Sequence, residues 1–222
     1  MKILAVIPNF IYTLPMPINL TDLPGILIRV FVILFAIAIH EYAHGKAALS
    51  LGDPTAKNAG RLTLNPISHI DPIGAICLFL FHFGWAKPVP INTSYFKNPR
   101  KDIILTSLSG PMSNFAAAFA AGVFLKNFPL QSSPFLVYLL SYMVLINTAL
   151  GLFNLLPIPP LDGSHVLENL LPIKAARKFR QAGRYAPLAF ITLLLMDSFI
   201  LHINIIGRII DWPLRFLLSL FV

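Results

Sequence analysis

Four apolar stretches constrain this chain more than any other feature. Residues 25–51, 102–126, 134–156 and 186–206 each reach the roughly 20 residues that carry a helix across the hydrocarbon core of a bilayer. A soluble fold would have to bury all four under a charged coat. Only 12% of the residues are charged, against about 25% in soluble domains, and 56% are hydrophobic. The chain therefore reads as an integral membrane protein, a single membrane-embedded domain over its 222 residues. Eighteen Phe exclude a disordered chain. The lone cysteine, Cys77, excludes an internal disulfide and obliges any metal site to use His and carboxylates.

Charge orders these stretches. The net charge is +8, and the cations flank apolar runs rather than forming a nucleic-acid face. Lys57, Arg61, Lys87, Lys97, Arg100 and Lys101 lie between the first two stretches, and Lys174, Arg177, Lys178, Arg180 and Arg184 between the last two. The 127–133 connector has neither Lys nor Arg. One orientation satisfies all three, with the two basic segments cytoplasmic. The shorter run 72–85 is expected to enter the membrane partway and return. Residues 1–24, broken by four prolines, are expected to be embedded or interfacial, and the tail 207–222 to form an amphipathic interfacial helix. Alternation at 61–65 and the 87–91 stretch predict short strands, the second confined to an edge by Pro88 and Pro90. The expected fold is an all-α polytopic membrane protein, with about four to six transmembrane helices and a short β-hairpin or small sheet on the cytoplasmic side.

The first stretch contains His40-Glu41-Tyr42-Ala43-His44. Positions i and i+4 share a helix face, so both imidazoles can reach one metal ion, and Glu41 can take a proton from a water there. Two His and a Glu inside lipid are costly as mere helix packing, which is the competing reading. A zinc site needs a third protein ligand. Asp162 is the candidate, just past Pro157, Pro159 and Pro160, which end the third stretch as a regular helix. Broken backbone at membrane depth survives only where protein or a wet cavity surrounds it. The alternative for Asp162 is an N-cap of a short helix over 164–171. His69, His82 and His202 read as structural or interfacial, Asp53 and Asp71 as turn formers, and His165 as outside the ligand set.

His40-Glu41-Tyr42-Ala43-His44, together with Asn154, Pro157 and Leu161-Asp162-Gly163, resembles the signature of the site-2 protease family of intramembrane zinc metalloproteases. Gly110-Pro111-Met112-Ser113-Asn114 is similar to that family's third motif. The likeness covers about residues 26–170 and is closest to the compact prokaryotic branch without PDZ or CBS domains. It implies one zinc ion on His40, His44 and Asp162, Glu41 as catalytic base, and Asn154 polarising the scissile carbonyl or holding its oxyanion. It also implies regulated intramembrane proteolysis of a membrane-protein substrate, in a prokaryotic plasma membrane with the site reached from the cytoplasm. Asn114 is a candidate substrate contact, although Gly110, Ser113, Ala117 and Ala121 equally suggest a close-packing stripe. Leu62, Thr63 and Leu64 are candidates to hold the substrate by strand addition. The rival classes are a non-enzymatic polytopic metal-binding protein and an ion or proton transporter.

Overall fold

The computed structural model describes residues 23–81, 85–128, 133–201 and 203–221. Expectations for residues 1–22, His82 and His202 lie outside this set. The helices are α1 (Leu23–Ser50), α2 (Thr55–Asn58), α3 (Pro72–Phe81), α4 (Pro99–Asn127), α5 (Pro134–Asn154), α6 (Asp162–Leu170), α7 (Ile173–Gly183), α8 (Ala186–Met196) and α9 (Ile205–Phe221). Among the described residues α1, α4 and α5 are long and apolar enough to cross a membrane. Their outward faces carry Leu27, Phe31, Phe119 and Phe124, all more than half exposed, as lipid-facing surfaces require.

Local signals set the ends of the long helices. Pro99 and Pro134 open α4 and α5, where a missing N–H is harmless. The Asp102 carboxylate accepts the Asn98 N–H at 2.9 Å and fixes the start of α4. α5 stops at Asn154, ahead of the Pro157–Pro160 turn. α4 packs along both α1 and α5, and α1 also touches α5. One apolar cluster joins Ile28 and Val32 of α1 to Tyr142 of α5. A second joins Ala121 and Leu125 of α4, Val144 and Leu145 of α5, and Leu214 and Leu218 of α9.

Three expectations need correction. The fourth apolar stretch is not one spanning helix. α8 passes at Met196 straight into a π-helical segment, Asp197–Leu201, so the helical backbone runs from Ala186 to Leu201; past it the Asp197 carboxylate accepts the N–H groups of Ile203 and Ile205 at 3.0 and 2.9 Å. A carboxylate inside an apolar run offers backbone donors an alternative to the helix, and here the donors it takes, Ile203 and Ile205, lie past the π-helical segment. The tail is an amphipathic helix, but its apolar face packs on α4 and α5 rather than lying free on the bilayer surface. Close approach there requires Gly122, since a side chain would strike the Phe221 carbonyl.

Neither 61–65 nor 87–91 is a strand. Two of the second segment's three donors are spent elsewhere, Lys87 N–H on His69 O at 2.9 Å and Val89 N–H on Glu41, while Pro88 and Pro90 have none. Only the Arg61 guanidinium crosses between the segments, donating to Lys87 O at 2.8 Å. A single antiparallel bridge pairs Ile70 with Ala86, so the 71–85 excursion ends where it began. His69 is buried and donates from Nε2 to Thr63 O at 2.8 Å, a structural role as expected.

The turn at the end of α1 is clamped by Asp53, which is fully buried. Its carboxylate accepts from the backbone and hydroxyl of Thr55 and from Asn92 N–H at 2.7 Å. Burial alone would raise its pKa, but these donors hold it below the usual carboxylate value. Asp71 similarly accepts the Gly74 N–H at 2.9 Å. Both aspartates form turns, as their sequence contexts predict.

Candidate metal centre

His40 and His44 lie one turn apart on α1, with ring centroids 4.6 Å apart. α4 passes so close that a methyl group at Gly110 would lie 2.7 Å from His40 Cε1 and overlap His44 Nε2. Only glycine leaves room there for two imidazoles. Asp162 comes from the first turn of α6, which folds back beneath the end of α5. Gly163 makes that fold possible, because any side chain on it would run into the Leu155 carbonyl. Leu161, not Asp162, is the N-cap residue of α6, so the capping alternative is not realised.

The three groups converge. Asp162 Oδ2 lies 3.1 Å from His40 Nε2 and 3.3 Å from His44 Nε2, and the two Nε2 atoms are 3.0 Å apart. The far ring nitrogens are committed: His40 Nδ1–H donates to Asn114 Oδ1 and His44 Nδ1–H to Thr106 O, both at 2.7 Å. Those acceptors leave the neutral rings with Nε2 lone pairs turned inward. Two nitrogen lone pairs and a carboxylate oxygen thus face one another in a largely buried space. Such an arrangement calls for a cation. The spacing fits zinc: ligand bonds of about 2.0–2.1 Å at tetrahedral angles put neighbouring donors about 3.3 Å apart.

The other anticipated residues are distributed as follows. Glu41 is half-buried, and its Oε2 accepts the Val89 N–H at 2.9 Å, which ties the 86–91 segment to α1. Asn154 is at the end of α5 with its Nδ2 donating back to Leu150 O at 3.0 Å, so its amide is not in contact with the three donors. Asn114 is fully buried and in direct contact with His40, which sets it behind a candidate metal ligand rather than in a packing stripe alone. Leu62, Thr63 and Leu64 form an extended stretch beside α1, with Leu62 packed near Gly45. His165 is exposed and lines a cavity of about 470 Å³ with Pro159, Glu168 and Arg180.

Sequence reasoning missed the supporting groups: the Thr106 carbonyl, the Val89 N–H and Asn147. The carbonyl and N–H carry no side-chain signal. Asn147 did carry one, as an amide inside an apolar span.

Residues 129–196 match Peptidase family M50. The chain is 38% identical over 193 residues to YwhC of Bacillus subtilis (strain 168), which is named as a zinc metalloprotease; the match covers 83% of this chain and 84% of YwhC. It is 27% identical over 171 residues to Rip2 of Mycolicibacterium smegmatis, again named as a zinc metalloprotease, covering 74% of this chain and 65% of Rip2. Over 66 residues, 30% of this chain, it is 41% identical to 13% of the regulator of sigma E protease of Haemophilus influenzae. No solved structure matches the chain.

Proposed function

This chain belongs to Peptidase family M50, the site-2 proteases, and we propose that it is an intramembrane zinc metalloendopeptidase cutting a peptide bond in or near a transmembrane segment of a membrane protein. The convergence of His40, His44 and Asp162 within 3.3 Å carries this reading. His40, His44 and Asp162 would hold a zinc ion, which when bound would supply the Lewis acidity that polarises a carbonyl and lowers the pKa of a water.

The remaining work falls to the chain itself. Glu41 receives the proton of the attacking water and returns it to the leaving amine. Its Oε2 is occupied by the Val89 N–H, so Oε1 is the atom assigned to that transfer. Asn154, at the broken end of α5, turns its amide from Leu150 O towards the developing oxyanion. The basic segments flanking the site, 57–101 and 174–184, support access from the cytoplasmic side. That α1, α4 and α5 are long and apolar enough to span supports a site within the bilayer, where a substrate segment would have to unwind to expose a carbonyl.

Leu62, Thr63 and Leu64 receive that unwound segment. Among the described residues their N–H groups have no hydrogen-bond partner, although Thr63 O is already taken by His69 Nε2, so backbone donors are available to a substrate strand. Proline placed singly at 62, 63 and 64 is expected to slow cleavage while zinc content stays intact. Parallel loss of zinc and cleavage would reduce the stretch to a fold element.

The function itself is tested in proteoliposomes carrying the full chain and a model transmembrane substrate. Cleavage is expected, stopped by 1,10-phenanthroline and restored by added zinc. An intact substrate under every condition, or ion flux without cleavage, would overturn the assignment.

A further inference from the structure

The spanning helices share a buried chain of amides that the proposed reaction does not use. Asn147 Nδ2 donates to Met143 O at 2.9 Å within α5. Asn147 Oδ1 accepts from Asn114 Nδ2 of α4 at 3.0 Å, and the same Nδ2 donates to Ala36 O of α1 at 3.0 Å. Asn114 Oδ1 then accepts from His40 Nδ1 at 2.7 Å. Both asparagines are fully buried. We propose that Asn147 is a positioning residue that locks the Asn114 amide, and through it holds His40 with its Nε2 lone pair towards the metal.

The lock works by exclusion. Turned over, Asn114 would face its oxygen against the oxygens of Ala36 and Asn147, and would offer N–H groups to His40 Nδ1. His40 would then carry its proton on Nε2 and could not ligate. Asn147 itself is oriented by the Met143 carbonyl, which accepts only the NH₂ end. Two backbone oxygens thus fix the tautomer of His40, Ala36 O of α1 directly on Asn114 and Met143 O of α5 through Asn147. Truncating either amide leaves a buried polar group without a partner. Groups that support metal ligands from behind typically change affinity by about 10–100-fold when removed.

The inference rests on the zinc site proposed above, and the test separates the two. Zinc affinity is measured on the detergent-purified full chain by competition with a chromogenic chelator, alongside the visible spectrum of the cobalt-substituted protein. Asn147→Leu, close in size but without an acceptor, is expected to lose about 10–100-fold in affinity and to shift the cobalt bands. Asn147→Asp should stay close to wild type, because the neutral acid can donate to Met143 O and accept from Asn114. Thr148→Val removes a neighbouring buried hydrogen bond, Thr148 to Val144 O, and should leave affinity unchanged. In an Asn114→Leu background, Asn147→Leu should add nothing.

Equal losses in Asn147→Leu and Thr148→Val, or full additivity with Asn114→Leu, would overturn the proposal. So would wild-type affinity in Asn147→Leu. If Asn147→Leu does not fold, Asn147→Ser replaces it, since a serine hydroxyl bonds back to its own helix and does not span to α4. A wild-type chain that binds no zinc would instead overturn the metal site itself.

Discussion

Alanine in place of His44 or Asp162 is expected to take the zinc content of the purified protein from about one ion per chain to near zero, and to abolish cleavage with it. Each residue supplies one of three converging donors, and two protein ligands do not make a structural grip on this ion. Removing a group that merely supports a ligand costs about 10–100-fold, so removing a ligand should cost at least about 100-fold. Elemental analysis after size-exclusion chromatography in detergent reads the first result, and the proteoliposome assay reads the second. A zinc-bound wild type should also melt higher than either variant, because an ion that binds only the folded state stabilises it by mass action. Full zinc in His44→Ala would break the assignment of the donor set.

The second large effect separates chemistry from metal binding. Glu41→Gln should retain one zinc per chain and lose about 10²–10⁴-fold in cleavage, the span that general-base catalysis supplies. The amide oxygen of Gln can still accept the Val89 N–H, so the 86–91 segment keeps its anchor on α1. A drop in rate therefore reports the lost base rather than a displaced loop. Substantial turnover in this variant would move the base to another residue.

Both predictions concern residues that were visible in the sequence. His40, Glu41 and His44 are legible because a helix brings i and i+4 onto one face whatever the rest of the chain does. Asp162 was less legible, since an acidic residue after a proline break fits a helix cap as well as a ligand. Its position 3.1 Å from His40 Nε2, with Leu161 at the N-cap, supports the ligand reading. The expected strands at 61–65 and 87–91 are absent for a reason that alternation cannot reveal: the second segment has two prolines, and the N–H groups of Lys87 and Val89 go to His69 and Glu41. The fourth apolar stretch is helical over 186–201 but does not run on as one helix to 206, because Asp197 captures backbone donors six and eight residues onward.

The sequence alone determined that this chain lives in a membrane, where the cations lie along it, and which side chains are suited to a cation. Those properties follow from composition and from the period of a helix, and neither needs a distant contact. Tertiary structure decided how the donors meet and what holds them. Gly110 admits two imidazoles under α4, Gly163 lets α6 close on α5, and Asn114, Asn147 and Thr106 fix the ring orientations from other helices. These are contacts between residues tens of positions apart, set by how closely three backbones can approach, and no local pattern encodes that distance.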